Sequence, residues 1–515
     1  VTDAPIVETA AGRVRGERIN GMLWFRGIPY ARAERFQAPI SVTPWAGVRD
    51  ALAYAPSCPQ PMRGRPDRPP PIWVDGREIG TDEDCLALNI WTAEAADHCR
   101  RPVMVWLHTG GFGSGSGSAP LFEGDRLARR DMVVVSLNHR LGALGFLDLE
   151  SFDPAFAGAA NAGIADIVAA LRWIRDNIAA FGGDPERVTL FGESGGALKI
   201  STLLAMPDAV PLFHRAIMQS GPRVRHLDRD RARAATEALF AQLDLPLGDI
   251  EALRALPADA IVAAAARVTK AMPSRGPGFP GIFSPVVDAA LIPRDPFAQG
   301  APAISAHIPL IIGYNRTEAS YFSRMGFGPN DPAMEWDEVR RRLAPVLRDG
   351  MEPLLAAWRG AAPGLSPFET YLAIFTEFPT GHFARTIAAR RAAAGSAPTY
   401  LYRFDWATDA WGSVGPSPHM IELPFVFDAV DRAPEMVGPA TDDTRAIAAD
   451  VSGAWRAFAG TGSPAAEGQP AWPAYDAATR RRMHIDRRWN VGPDLHPDLA
   501  AALDSALDLT PERPS

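Results

Sequence analysis

The stretch Val188-Thr-Leu-Phe-Gly-Glu-Ser-Gly-Gly-Ala-Leu-Lys199 runs from a β-branched and aromatic segment into glycines around one serine, then into helix-forming residues. The spacing Gly192-x-Ser194-x-Gly196 suits a sharp strand-to-helix turn. A serine there takes a strained backbone, and residues without Cβ two before and two after it let neighbouring chains approach. Ser194 is then either an exposed nucleophile or the N-cap of the following helix.

Working outward, short apolar runs recur, each closed by a turn signal: Val103–His108, Met132–Leu137, Val188–Phe191, Ala216–Gln219, Pro309–Ile312 and Tyr400–Phe404. Continuous apolar runs of this length suit strands buried on both faces. Between them lie helical patterns, the clearest from Ala162 to Phe181, with Ile164, Val168, Leu171 and Ile174 on one stripe and Gly182-Gly-Asp-Pro185 ending it. Strand and helix in alternation predict an α/β fold, a mostly parallel central sheet with helices on both faces. Pro/Gly-rich stretches at Pro59–Gly80, Ala271–Pro280 and Gly326–Pro332 read as long surface loops, and Ala234–Val268 and Val339–Ala357 as helical insertions. With no internal repeat, residues 1–515 are expected to form one domain.

Composition narrows the function. A net charge of −8 over 515 residues offers no clustered cations for a polyanion, so nucleic acid is not an expected partner. The longest uncharged window, Pro102–Phe122, ends in "TGGFGSGSGS" and cannot hold a lipid-exposed helix cheaply, so no transmembrane segment is assigned. Three cysteines, Cys58, Cys85 and Cys99, lack the paired spacing of a structural zinc site. In an oxidising compartment Cys58 could close a loop with Cys85, worth roughly 3 to 4 kcal/mol; the alternative is three free thiols. The start Val1-Thr-Asp shows no charged-then-apolar leader, and localisation stays open between periplasmic or secreted and cytoplasmic.

A serine hydroxyl is a weak nucleophile near neutral pH and needs a base, with an acid to orient it. In the order serine, acid, histidine, the acid falls on Glu318, read as lying in a loop just past the Ile308–Ile312 run. Of the downstream histidines, His382 opens a helix-like stretch, His484 sits in the strand-like "RMHID" and His496 in a turn. His419 lies in the Gly/Pro/Ser loop after Tyr400–Phe404, where a mobile imidazole is wanted. Backbone N–H donors for an oxyanion come from "HTGGF" at Gly110 and Gly111, with Gly195 as the third.

Together these residues make the chain resemble the type-B carboxylesterases, a family of bacterial esterases, fungal lipases and cholinesterases with the α/β-hydrolase fold. The resemblance rests on "FRGIPYA" (Phe25–Ala31), "EDCLALNIW" (Glu83–Trp91), "GGF" (Gly110–Phe112), "NHRLGALGFL" (Asn138–Leu147), "FGGDPERVTLFGESGGA" (Phe181–Ala197) and "HMIELPFVF" (His419–Phe427). It implies Ser194 as nucleophile, Glu318 as acid and His419 as base. Thr109 stands where the family usually has a glycine, Gly195 where alanine is common, and His139 where tyrosine is usual. The Gly195 exchange is expected to cost an N–H donor nothing. The resemblance also adds weight to a Cys58–Cys85 bridge in an exported protein, places Glu193 as a buried carboxylate near the site, and suggests that Ser220 bonds the acid.

The expected activity is carboxylic-ester hydrolysis through an acyl-enzyme, without metal or organic cofactor. Alternatives are carbamate, amide or polyester cleavage by the same residues, or a catalytically silent binding protein. The partner is a small-molecule ester, the chain a monomer or weak homodimer. Walls of an active-site gorge are expected from Arg63–Trp73, Pro273–Phe283, Met325–Phe327 and Trp411.

Overall fold

Alternate residues of the strand Arg101–Leu107 serve two different cores. Val103, Val105 and Leu107 point into one, Met104 and Trp106 into the other, and all five are fully buried. That is how a continuous apolar run reads in a sheet covered on both faces. The computed structural model describes residues 4–61, 80–95, 99–273, 280–288, 290–326, 328–410 and 415–506.

The central sheet has 11 strands. Numbered along the chain within this sheet, they are β1 (Glu17–Ile19), β2 (Met22–Pro29), β3 (Ala87–Thr92), β4 (Arg101–Leu107), β5 (Val133–Leu137), β6 (Gly183–Glu193), β7 (Arg215–Gln219), β8 (Leu310–Asn315), β9 (Thr399–Phe404), β10 (Arg481–Ile485) and β11 (Asn490–Pro493). Their spatial order is β11-β10-β9-β8-β7-β6-β4-β5-β3-β2-β1. The run from β5 through β10 is parallel, and the remaining pairings are antiparallel.

Helix α1 (Ala162–Asn177) buries Ile164, Val168, Leu171 and Ile174 against the first core. It passes through a 3-10 turn and stops at Gly182, whose φ of 78° only glycine adopts cheaply. Among the described residues, the helical stretch Pro154–Phe181 is long and apolar enough to cross a membrane by composition, but 67% of its most apolar window is buried inside the fold. On the other face, Asp442–Thr461 packs Val451, Trp455 and Phe458 into the second core. The two insertions are helical, at Arg229–Gln242, Ile250–Ala255 and Ala258–Ala271, and at Trp336–Leu347 and Met351–Ala361.

The topology itself selects the site. After β4 the chain moves to β5 on one side, then crosses back to β6 on the other side of β4, from where it continues to β7. Loops leaving the carboxyl ends of β4 and β6 therefore lie at a topological switch point, where open α/β sheets bind their ligands. One of those loops starts at His108, the other at Ser194.

Candidate active site

Ser194 has φ 52° and ψ −112°, a conformation that costs a non-glycine residue on the order of 1–3 kcal/mol. It precedes α2 (Gly195–Leu203), yet its side chain makes no capping hydrogen bond. Its N–H donates to the Gln219 carbonyl at 2.8 Å, which ties the turn to β7. The flanking glycines are needed sterically: a Cβ on Gly192 would lie 2.8 Å from the Gly196 backbone and the Leu107 carbonyl, and one on Gly196 would run into that same carbonyl. The hydroxyl is thus held on a strained turn and left free of the helix.

The β4 loop meets this turn directly. Gly110 and Gly111 both take positive φ, 98° and 66°. The N–H groups of Gly110, Gly111 and Gly195 donate to no backbone partner among the described residues. A Cβ on Gly195 would collide with the backbone nitrogen and oxygen of Gly111. The N–H of a residue at 195 does not depend on its side chain, but here the loop closes onto α2 so tightly that an alanine methyl would displace it.

The serine-glycine run beyond is a buried framework, not a linker. Gln60 brackets Gly115 through both backbone groups, at 2.7 and 3.0 Å. Asn138 Oδ1 accepts from the Gly117 N–H at 2.8 Å and the Ser116 hydroxyl at 3.1 Å.

His419 is buried between two carboxylates. Its Nδ1–H donates to Glu318 Oε2, and its Nε2 stands 3.1 Å from Glu193 Oε1. Glu318 opens a short helix, α3 (Glu318–Arg324), rather than sitting in a loop, and its Oε1 accepts the Asn315 N–H at 2.6 Å. Phe322, 41% exposed, lies over the imidazole with ring centres 4.9 Å apart. Burial disfavours the imidazolium, but Glu193 and then Glu318 outweigh it and raise His419 to about 9. Burial pushes the Glu193 carboxyl well above the usual range; His419 opposes this, while Glu422 and Glu318 add to it.

Glu422 is a third buried carboxylate that sequence reasoning missed. It accepts from Asn315 Nδ2 at 2.5 Å, Gln219 Nε2 at 3.2 Å and Ser220 Oγ at 3.4 Å. Burial, then Glu318, raise it to about 7. Ser220 thus bonds Glu422 and not Glu318 as anticipated, because His419 and the Asn315 backbone occupy the two Glu318 oxygens. A carboxylate three residues past His419 in the otherwise apolar "MIELPFVF" was the available signal.

A second ionisable group lies beyond the serine. Lys199 Nζ, fully buried on α2, donates to the His108 carbonyl at 2.8 Å, next to the β4 loop. Burial lowers Lys199 to about 7, against the field of Glu193. The His108 and His139 rings stack 4.8 Å apart at 8°. Each donates Nδ1–H to a backbone carbonyl at 2.8 Å, and each Nε2 is buried without a partner. Burial, with Lys199 adding to it, pushes both well below the ordinary histidine value.

The remaining residues sit elsewhere. His382 is buried at the start of a helix, His484 bonds Asp405 at 2.8 Å, and the His496 side chain is about half exposed. Cys58 and Cys85 are both buried and within reach of each other, the placement that a bridge would need. Segment 63–73, residues 274–279, Phe327 and Trp411, expected as walls, lie outside the described residues.

Residues 3–497 match the model of the carboxylesterase family. The chain belongs to that family. It is 34% identical over 496 residues to the para-nitrobenzyl esterase of Bacillus subtilis (strain 168), covering 95% of this chain and 96% of the relative. It is 37% identical over 482 residues to the phenmedipham hydrolase of Pseudarthrobacter oxydans, covering 92% and 93%. The crystal structure of Geobacillus stearothermophilus carboxylesterase EST55 at pH 6.2 superposes with a TM-score of 0.83 at 34% identity, covering 96% and 99%. This carboxylesterase-family chain has the α/β-hydrolase fold and is a carboxylic ester hydrolase acting on small-molecule esters.

Proposed function

We propose that Ser194 is the nucleophile, His419 the general base and acid, Glu318 the acid that orients it, and the N–H groups of Gly110, Gly111 and Gly195 the oxyanion donors. The observation that carries this reading is the strained Ser194 turn, uncapped by its own hydroxyl and directly following Glu193, which stands 3.1 Å from Nε2 of an imidazole whose Nδ1–H is already committed to Glu318.

In the reaction, Ser194 Oγ attacks the ester carbonyl carbon and its proton passes to His419 Nε2. The oxyanion forms against three N–H groups that need no reorganisation, two from the β4 loop and one at the N-terminus of α2. Collapse breaks the ester bond, and the Nε2 proton leaves with the alkoxide. Water, deprotonated by the same nitrogen, releases the acid and restores Ser194. In the resting site Nε2 stands 3.1 Å from Glu193 Oε1, one residue before Ser194 in the chain.

Nothing in this cycle uses a second copy, and the chain works as a monomer or weak homodimer; light scattering after gel filtration checks the mass. Activity is tested with p-nitrophenyl butyrate and a serine-directed phosphonate. Ser194→Ala should lose turnover by four or more orders of magnitude, roughly the scale for removing such a nucleophile, and should take up no phosphonate. A Ser194→Ala variant as active as the wild type would sink the reading.

A further inference from the structure

Arg223 and His226 follow β7 and have no part in the cycle above. Their exposures are 5% and 7%. Yet Nε and Nη1 of Arg223 and both ring nitrogens of His226 meet no hydrogen-bond partner among the described residues. Buried polar atoms almost always find partners, and a guanidinium left without them is among the costlier exceptions. Such a cost persists where a ligand removes it.

The place is close to the reacting centre. A Cβ on Gly221 would run into the Ser194 backbone. Two residues on, the Arg223 N–H donates to Ser201 Oγ at 2.9 Å, fixing the segment to α2. The guanidinium carbon then stands 5.1 Å from the centre of the Phe112 ring, and Phe112 directly follows Gly111 of the oxyanion loop. Arg223 therefore contacts both elements at the switch point, α2 through its backbone N–H and the β4 loop through its cation.

Its compensation is partial. The Phe112 ring face supplies a cation–π contact. Asp295 exerts a field on Arg223, but its Oδ1 accepts the His226 N–H at 2.8 Å and the carboxylate makes no hydrogen bond to the guanidinium. Burial and the Arg223 charge push His226 down to about 3, so its ring is neutral and offers one donor and one acceptor. A planar fork of N–H donors beside a neutral imidazole matches a carboxylate in shape and charge.

We propose that Arg223, with His226 beside it, forms an anion subsite that selects esters bearing a free carboxylate, such as monoesters of dicarboxylic acids, over neutral esters of the same shape. The proposal rests on the ester-cleavage reading above and adds the substrate class to it.

The test compares kcat/KM for two matched pairs. Monoethyl adipate against ethyl 6-methylheptanoate places the carboxylate on the acyl side. The 5-acetoxypentanoate anion against 5-methylhexyl acetate places it on the alcohol side. The wild type should favour the anion in at least one pair by about tenfold or more, the scale of a charged hydrogen bond. Arg223→Met should cut that ratio by about tenfold or more, and Arg223→Lys by less, because an ammonium keeps the charge and loses the fork. Preference for the neutral partner in both pairs, or a ratio unchanged in Arg223→Met, would overturn the proposal. The wild-type ratios decide the matter even where the methionine variant fails to fold. Failure of the underlying reading looks different: every ester would then be turned over equally by wild type and Ser194→Ala.

Discussion

His419 and the stacked pair His108 and His139 are equally buried, and all three spend Nδ1–H on an oxygen acceptor. They end far apart in basicity. Two carboxylates face His419 and raise it to about 9. Around His108 and His139 the reinforcing neighbour is Lys199, and both are pushed well below the ordinary value. Burial always penalises the imidazolium; the sign of the neighbouring charge decides the outcome. One cluster keeps a histidine able to hold a proton, and the other keeps two rings neutral beside the start of the β4 loop.

The largest effect that could break this contrast is on rate. His419→Ala should lower kcat/KM for p-nitrophenyl butyrate by roughly four orders of magnitude. His139→Phe, which keeps a flat ring in the stack, should stay within about tenfold of the wild type. Comparable losses in both would mean that the two clusters do the same work. Next in size, Glu318→Gln should cost on the order of a thousandfold or more in kcat, since an amide cannot stabilise the imidazolium that forms. Thermal unfolding of each variant separates these losses from misfolding.

Glu193→Gln sharpens the contrast through pH. His419 must be neutral to take the Ser194 proton, so kcat/KM should rise as pH approaches 9 in the wild type. Removing a carboxylate that favours the imidazolium lowers the His419 pKa. The acid limb should therefore move to lower pH by about one unit or more. An unmoved limb would show that Glu193 carries no charge in the free enzyme.

Much of this was legible in the chain. Six strands of the sheet, β4 to β9, announced themselves as apolar runs because both faces are buried, and Gly192-x-Ser194-x-Gly196 because backbone collisions leave no other choice. Chain order singled out Glu318 and His419, two side chains that the fold brings into a hydrogen bond, although Glu318 begins a helix instead of lying in a loop. Glu422 and Asn315 stayed hidden because they act through three-dimensional neighbours, and a lone carboxylate in an apolar segment declares no partner. Lys199 was visible as one of two lysines, but its burial depends on α2 packing under the β4 loop. The close approach of Gly111 to Gly195 was invisible for a related reason: it depends on how the β4 loop packs on α2.

The smallest expected effect is on stability and concerns Lys199. Folding lowers its pKa to about 7, below the ordinary lysine value near 10.4. Between those values the unfolded chain binds a proton that the folded protein does not, so this residue's contribution becomes more favourable as pH rises through the window. Its penalty is full below pH 7 and gone above about 10.4, and it spans at most a few kcal/mol. Lys199→Met removes the titration. The melting temperature of the wild type relative to Lys199→Met should therefore climb by several degrees between pH 7 and pH 10, whatever constant offset the lost bond to the His108 carbonyl adds. A flat difference would mean that the ammonium stays charged throughout. Glu193 is the group whose field favours that charge, so a flat profile would join the acidic and basic clusters into one network across Ser194.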